Sequence, residues 1–266
     1  MKLFLCPNGY NEKQKEQALE GIAQLERQGH ICALSVQNSI SLYGNEDKAV
    51  FTAADCDLVV SIGGDGAVLR AAQVAISADK PLVGINSGRL GFLCVMTLAE
   101  VENFNTLFSS CRLSKRSLLE FQYGEEVHRA LNDVVISKED IGTTADLTVS
   151  VEGYTRYTMR TDGLVISTPT GSTAYNYSAG GPVLDPSCDS IAITPICALY
   201  GTIRTVVTDF KNAITVSERN DHALVISDGR TIGPITGELT VYRSEKQLAL
   251  YMREKHSTIE AIIRRN

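Results

Sequence analysis

The sequence predicts an α/β N-terminal domain with a mainly parallel sheet, followed by a β-rich, sandwich-like C-terminal domain. Three observations predict it. From residue 2 to about 93, short apolar runs alternate with stretches of helical periodicity, as in a parallel sheet covered by helices. Beyond residue 109 the period changes to short, β-branched runs separated by turn residues. A glycine turn, GGDG at 63–66, follows the third apolar run, so it lies at the carboxyl end of a parallel strand, where open α/β sheets place ligands.

The elements follow in order. KLFLC is strand-like, and Ala18, Leu19, Ile22 and Leu25 then recur at helical spacing until Gly29. ICALSV, DLVVSI (57–62) and PLVGIN (81–86) read as the next strands, with AVLRAAQVAI as the helix between the last two. A helix around 98–109, with Val101, Phe104, Leu107 and Phe108 on one face, bridges to the second domain. LLEFQYGEEVHRALNDVVISK reads as two strands around a Gly-Glu-Glu turn, and Leu147, Val149 and Val151 alternate before a turn at Glu152 and Gly153. AITVSE, HALVISDG, ELTVYR and LALYM complete an antiparallel set. The expected domains are 1–97 and 98–255, with a terminal helix at about 256–266, capped by Ser257, that packs back on either one.

The chain has 266 residues, 44% of them hydrophobic, enough to bury a sizeable core. A net charge of -6 argues against nucleic-acid or anionic-membrane binding, while leaving room for small anionic ligands held by local cations or a metal. Seven scattered cysteines without a CxxC pair read as reduced thiols. The first residues, MKLFLCPNGY, are too short an apolar run for a signal segment, and no run reaches membrane-spanning length. The expectation is a cytoplasmic protein.

Two segments carry candidate chemistry. Gly63, Gly64 and Gly66 strip side chains from a strand-to-helix turn, so a donor phosphate can approach backbone N–H groups at a helix N-terminus. The spacing is neither GxGxxG nor a P-loop. Asp65 puts a negative charge in that turn. Either it stabilises a tight turn, or it faces an incoming hydroxyl and takes its proton during attack on phosphorus. The second segment, TDGLVISTPTGSTAYNYSAGGPVLDPS (161–187), runs from an apolar strand into a cluster of hydroxyls with Tyr175 and Asn176 beside it. It reads as a capped helix start, or as a loop that bonds a sugar and stacks on a purine.

GGDG, GINSGRLGFL (84–93), ALNDVVIS (130–137) and TDGLVISTPTGSTAYNYSAGGPVLDP together closely resemble the NAD kinase family in order and spacing. GGDG alone is shared with diacylglycerol, sphingosine and phosphofructokinase-type kinases; the 161–186 segment is specific. The resemblance implies an active site between two domains and phosphorylation of the adenosine 2'-hydroxyl of NAD by ATP or polyphosphate, with a divalent ion such as Mg2+. It implies Asp65 as proton acceptor and Gly66 as its backbone partner. It also implies nucleotide contacts from Asn132, Asp133, Arg160, Asp162, Thr170, Thr173, Ala174, Tyr175, Asn176 and Ser178. Arg70 either reaches a phosphate or is an exposed helical cation. A homodimer or homotetramer assembled through the β-rich domain is implied as well. Three departures stand out: Ala67 where the family has Thr after GGDG, TDG for GDG at 161–163, and TPICALY (194–200) for a Pro-His-containing run. The first and the third motivate a second reading, a catalytically weak sensor of NAD(H) or NADP(H). A lipid kinase, the third, leaves the 173–178 loop unexplained.

Overall fold

The computed structural model describes residues 1–9, 11–88, 91–152, 154, 156–199, 203–219 and 223–253. The expected terminal helix with Ser257 lies outside them, as do Arg89 and Leu90, Gly153 and Tyr200 of the stretches quoted above. The chain forms two compact units, Met1–Lys115 with Leu248–Asn266, and Arg116–Gln247.

In the first unit β1 (Lys2–Pro7), α1 (Glu12–Arg27), β2 (Ile31–Leu34), α2 (Val36–Tyr43), β3 (Leu58–Gly63), α3 (Asp65–Ala78) and β4 (Leu82–Asn86) build a parallel sheet in the order β2-β1-β3-β4. Leu58 to Ile62 and Leu82 to Ile85 are buried without alternation, because helices cover a parallel sheet on both faces. Each such Leu, Ile or Val contributes about 1.5–3 kcal/mol relative to exposure. The run ICALSV does not stay extended to its end. Ser35 Oγ accepts from the Asn38 amide at 3.2 Å and starts α2, a helix the apolar pattern did not announce.

After β5 (Met96–Thr97), the expected single helix is a 3-10 turn (Leu98–Asn103) followed by α4 (Phe104–Ser109). Glu100 accepts from the Thr97 amide at 2.7 Å in a capping box. Both pieces fall in the first unit, which therefore extends past the expected boundary at 97 and regains the chain at Leu248 rather than near 256.

The second unit contains β6 (Cys111–Tyr123, from Arg116 on), β7 (Glu126–Ala130), β8 (Asp133–Lys138), β9 (Ala145–Val151), β10 (Tyr157–Thr161), β11 (Gly163–Ser167), α5 (Tyr175–Ser178), β12 (Ser190–Ile196), β13 (Val206–Asp209), β14 (Ile214–Glu218), β15 (Ala223–Ser227), β16 (Arg230–Pro234) and β17 (Glu238–Arg253, up to Gln247). One sheet is six-stranded and antiparallel, ordered β13-β12-β11-β8-β15-β16; in the other, β10, β9, β14 and β17 pair in sequence. Inward residues of both, among them Phe121, Ile136, Val149, Ile166, Ile193 and Val216, share one core, which makes the unit a sandwich. LLEFQYGEEVHRALNDVVISK is three strands rather than two, because Leu131 and Asn132 leave the ladder to bond elsewhere. ELTVYR and LALYM are one long strand. No described helix is long and apolar enough to cross a membrane, and all seven cysteines are free thiols.

Candidate active site

In the first unit the buried strand β3 delivers GGDG to the start of α3. A Cβ on Gly63 would stand 2.6 Å from that of Ala67 and 2.9 Å from that of Asn8, so packing requires glycine there. Gly64 and Gly66 are different. A Cβ on either meets nothing within 4 Å, and Gly64 is extended at φ -105°. Neither conformation nor packing asks for glycine at these two positions, and glycine in a helix costs about 0.5–1 kcal/mol relative to alanine. The bare backbone leaves room for something outside the chain. The first helical bond runs from Ala67 N–H to the Gly64 carbonyl at 2.9 Å, so the Asp65 and Gly66 amides sit ahead of it at the positive end of the α3 dipole.

Asp65 does not brace its own turn. Its Oδ2 accepts from the Phe92 amide at 2.9 Å and its Oδ1 from the Leu93 amide at 3.0 Å. The carboxylate is half-buried, aimed by a loop 27 and 28 residues away, and its charge is offset by two amides and the helix dipole. Gly91 makes this possible, since a Cβ there would overlap the carboxylate. Arg70, exposed one turn along α3, donates to Asn8 Oδ1 at 3.1 Å.

In the second unit, β8 and β11 pair with Asp133 opposite Ser167, so the entry to β8 and the exit of β11 lie side by side. The Thr168 amide donates to the Asn132 carbonyl (2.9 Å) and its hydroxyl to the Leu131 carbonyl (2.6 Å). Gly171 packs so tightly on the Asn132 backbone that a Cβ would overlap its carbonyl. Asp228, in the left-handed turn between β15 and β16 (φ 47°), accepts from the amides of Leu131, Asn132 and Asp133 at 2.8, 2.7 and 3.2 Å. Burial, reinforced by the Asp228 charge, pushes the Asp133 carboxyl up to about 7. Burial pushes Asp228 up to about 6, against the three amides that pull it down. Asn132 is 8% exposed and its Oδ1 is buried with no partner among the described residues, which leaves it able to bond a ligand. Sequence reasoning missed Asp228. Its only signal is the Asp-Gly pair of a tight hairpin, which says nothing of where the carboxylate points.

The 168–178 loop divides into two kinds of residue. Ser172 Oγ donates to the Pro169 carbonyl and accepts from the Leu184 amide, at 2.7 and 2.9 Å. Asn176 is fully buried: its Nδ2 donates to the Ser172 and Pro182 carbonyls, and its Oδ1 accepts from the Thr194 hydroxyl at 2.6 Å. The expected nucleotide contact from Asn176 does not fit this placement, because every polar atom of its side chain already holds the loop. Thr173 and Ala174 are partly exposed, Tyr175 and Ser178 exposed, and Thr170 nearly buried. The Tyr175 ring, 44% exposed, is open for stacking.

Arg160 and Asp162 are not brought to this end. Gly163 pairs with Ser137, four residues and about 13 Å along the strand from the Ser167–Asp133 pair. Arg160 makes a two-pronged ion pair with Asp146 at 2.8 and 3.1 Å, which holds that carboxyl below its ordinary value, and Asp162 pairs with Lys138 at 2.7 Å. The Thr that replaces Gly at 161 is used, its buried hydroxyl bonding the Gly163 and Ile196 carbonyls.

Residues 9–111 match the family model of the ATP-NAD kinase N-terminal domain, and residues 131–252 that of the ATP-NAD kinase C-terminal domain. The NAD kinase of Thermotoga neapolitana is 32% identical over 239 residues, covering 89% of this chain and 92% of that protein. That of Geobacter sulfurreducens is 38% identical over 211 residues (75% and 73%), and that of Bacteroides fragilis 31% over 272 (96% and 94%). Among solved structures, yeast NADH kinase with NADH superposes at a TM-score of 0.80 with 22% identity, covering 99% of this chain and 86% of that one. An Archaeoglobus fulgidus NAD kinase with ATP gives 0.76 with 23% identity, covering 98% of each chain.

Proposed function

The chain belongs to the NAD kinase family, and from that premise we propose that Asp65 is the proton acceptor in phosphoryl transfer from ATP to the adenosine 2'-hydroxyl of NAD. It is a kinase, a phosphotransferase with an alcohol acceptor. The relatives it matches are kinases by name, so the sensor reading is not carried forward.

Asp65 takes the 2'-hydroxyl proton as that oxygen bonds to the terminal phosphorus of the donor; the bond to the leaving oxygen breaks, and ADP departs with its electron pair. The observation that carries this reading is the carboxylate held on two backbone amides between glycines that the fold itself does not need. Gly64, Gly66 and the α3 N-terminus receive the donor phosphates, with Arg70 one turn away. Asn132 Oδ1 and Asp133 bond the dinucleotide, Asp133 near half-protonated at neutral pH and so able to donate or accept. Thr170, Thr173, Ala174, Tyr175 and Ser178 line the adenosine, with Tyr175 as the stacking face. Asn176 positions that loop.

Among the described residues no three His, Cys, Asp or Glu side chains gather into a metal cage. A Mg2+ would arrive on the donor phosphates, the usual habit of this ion, and Asp65, within the glycine loop, is the carboxylate that would face it. When bound, it offsets phosphate charge. We further propose a homodimer or homotetramer, which light scattering tests.

The decisive assay is NADP formation from NAD and Mg2+ with ATP or polyphosphate. Asp65→Asn is expected to lower turnover about 10²- to 10⁴-fold while KM for NAD stays within about threefold. Near-normal turnover in that variant would remove Asp65 from the base role. Absence of NADP from the unmodified protein with either donor would overturn the activity itself.

A further inference from the structure

Asp228 makes contacts that its own turn does not need. It opens the two-residue turn Asp228-Gly229 between Ser227 of β15 and Arg230 of β16, and both residues are left-handed, at φ 47° and 77°. Such a hairpin favours Asp-Gly, because Asp tolerates this conformation better than most side chains and glycine has no Cβ to clash. That requirement ends at the backbone. The carboxylate leaves the turn and accepts from the amides of Leu131, Asn132 and Asp133, while the Asp228 amide donates to the Asp133 carbonyl at 3.1 Å.

Strand register explains the reach. β8 lies between β11 and β15, with Asp133 opposite Ser167 on one side and Val134 opposite Ser227 on the other, so the hairpin tip faces the entry to β8. Leu131 and Asn132 fall between β7 and β8, where no ladder takes their amides. Asp228 takes both. From the other side the Thr168 amide holds the Asn132 carbonyl at 2.9 Å. With both backbone groups of Asn132 engaged, its side chain is the part left to meet a ligand, and its Oδ1 has no partner among the described residues. Hydrogen bonds to an ionised group are roughly twice as strong as neutral ones, so a carboxylate holds this segment more firmly than a turn asparagine would.

We propose that Asp228 is a positioning residue for the acceptor dinucleotide: by clamping the backbone of residues 131–133 it fixes the direction in which the Asn132 and Asp133 side chains meet NAD, and it touches no substrate atom itself. This role rests on the kinase reading above, in which those two side chains bond the dinucleotide. Asp228 then governs affinity for NAD rather than the chemical step at Asp65.

Calorimetric titration of the full chain with NAD, beside initial rates of NADP formation with Mg-ATP, tests the role. Asp228→Asn keeps the size and the left-handed tolerance but turns an N–H2 group towards an amide that the carboxylate accepts. Asp228→Gly removes the clamp and keeps the turn conformation. Gly229→Ala strains the same turn, at φ 77°, and leaves the carboxylate in place. Asp228→Asn is expected to weaken NAD binding about five- to tenfold and Asp228→Gly about thirtyfold, KM rising in step while turnover at saturating NAD stays within about threefold. Gly229→Ala should lower the melting temperature and leave NAD affinity within about twofold. In an Asn132→Ala background, Asp228→Asn should cost less than about threefold in NAD affinity, because a group that it aims is gone. Unchanged NAD affinity in both Asp228 variants, lost turnover at full affinity, an equal affinity loss in Gly229→Ala, or fully additive losses with Asn132→Ala would each overturn the positioning role. Clamp-dependent NAD binding by a protein that forms no NADP would instead keep the role and remove the kinase reading.

Discussion

The glycine loop of the first unit and the 168–178 loop of the second are both backbone turns that leave a strand, yet they are made ready in opposite ways. At Gly64–Gly66 the chain omits side chains that would fit, and a single carboxylate is aimed by two amides from elsewhere. Around Gly171 it does the reverse. Thr168, Ser172 and Asp228 bond backbone groups, Asn176 bonds two carbonyls and the Thr194 hydroxyl, and glycine is forced by contact with Asn132. One loop is left empty, whereas the other is fastened at Ser172 and Asn176 while Tyr175 and Ser178 stay exposed beside them. Substitutions should therefore separate turnover from stability.

The largest effect tests that separation directly. Gly171→Ala drives a methyl group into the Asn132 backbone, which cannot yield as a side-chain tip would, and should destabilise the protein by more than about 3 kcal/mol. Gly64→Ala meets open space and should change stability by less than about 0.5 kcal/mol while lowering turnover at least about tenfold. Denaturant melts paired with initial rates check both. Equal stability losses in the two variants would end the distinction.

The sequence reveals these two regions unequally. GGDG is legible because a strand followed by three glycines and an acid in four residues leaves few readings, and its place at the carboxyl end of β3 follows from alternation alone. The amides that hold Asp65 were not legible, since Phe92 and Leu93 contribute backbone rather than side chain. In the second unit, hydroxyl-rich composition marked the right segment but not which residues face inward: Asn176 and Tyr175 are neighbours, one fully buried and one exposed. Ser35 hid α2 for a related reason, because one cap residue outweighs the apolar run before it. Arg160 and Asp162 sit close in sequence to the hydroxyl loop, yet strand register carries them to the far end of β11.

A smaller effect should come from Asn176→Ala. Two donated bonds and one accepted bond vanish at once, leaving the Ser172 and Pro182 carbonyls and the Thr194 hydroxyl short of a partner in a dry site. The expected loss is about 2–3 kcal/mol, with KM for NAD rising more than turnover falls, because the loop rather than the reacting group is disturbed. A variant that melts normally but loses turnover alone would place Asn176 among the reacting groups and erase the contrast with Asp65.

The finest discriminator is pH. Asp133 and Asp228 are buried carboxyls whose folded-state values, about 7 and about 6, lie above the ordinary 3.8. The native state thus keeps protons that the unfolded chain has already released, so stability should fall as pH rises from about 4 towards 7 and then level off. The rise of Asp133 alone corresponds to at most about 4 kcal/mol, and relaxation around a newly charged buried group reduces that. Wild type should lose about 1–2 kcal/mol more than Asp133→Asn between pH 5 and pH 8 in matched denaturant melts. Parallel slopes would mean that water reaches both carboxyls, and that the fastened loop is as open to solvent as the empty one.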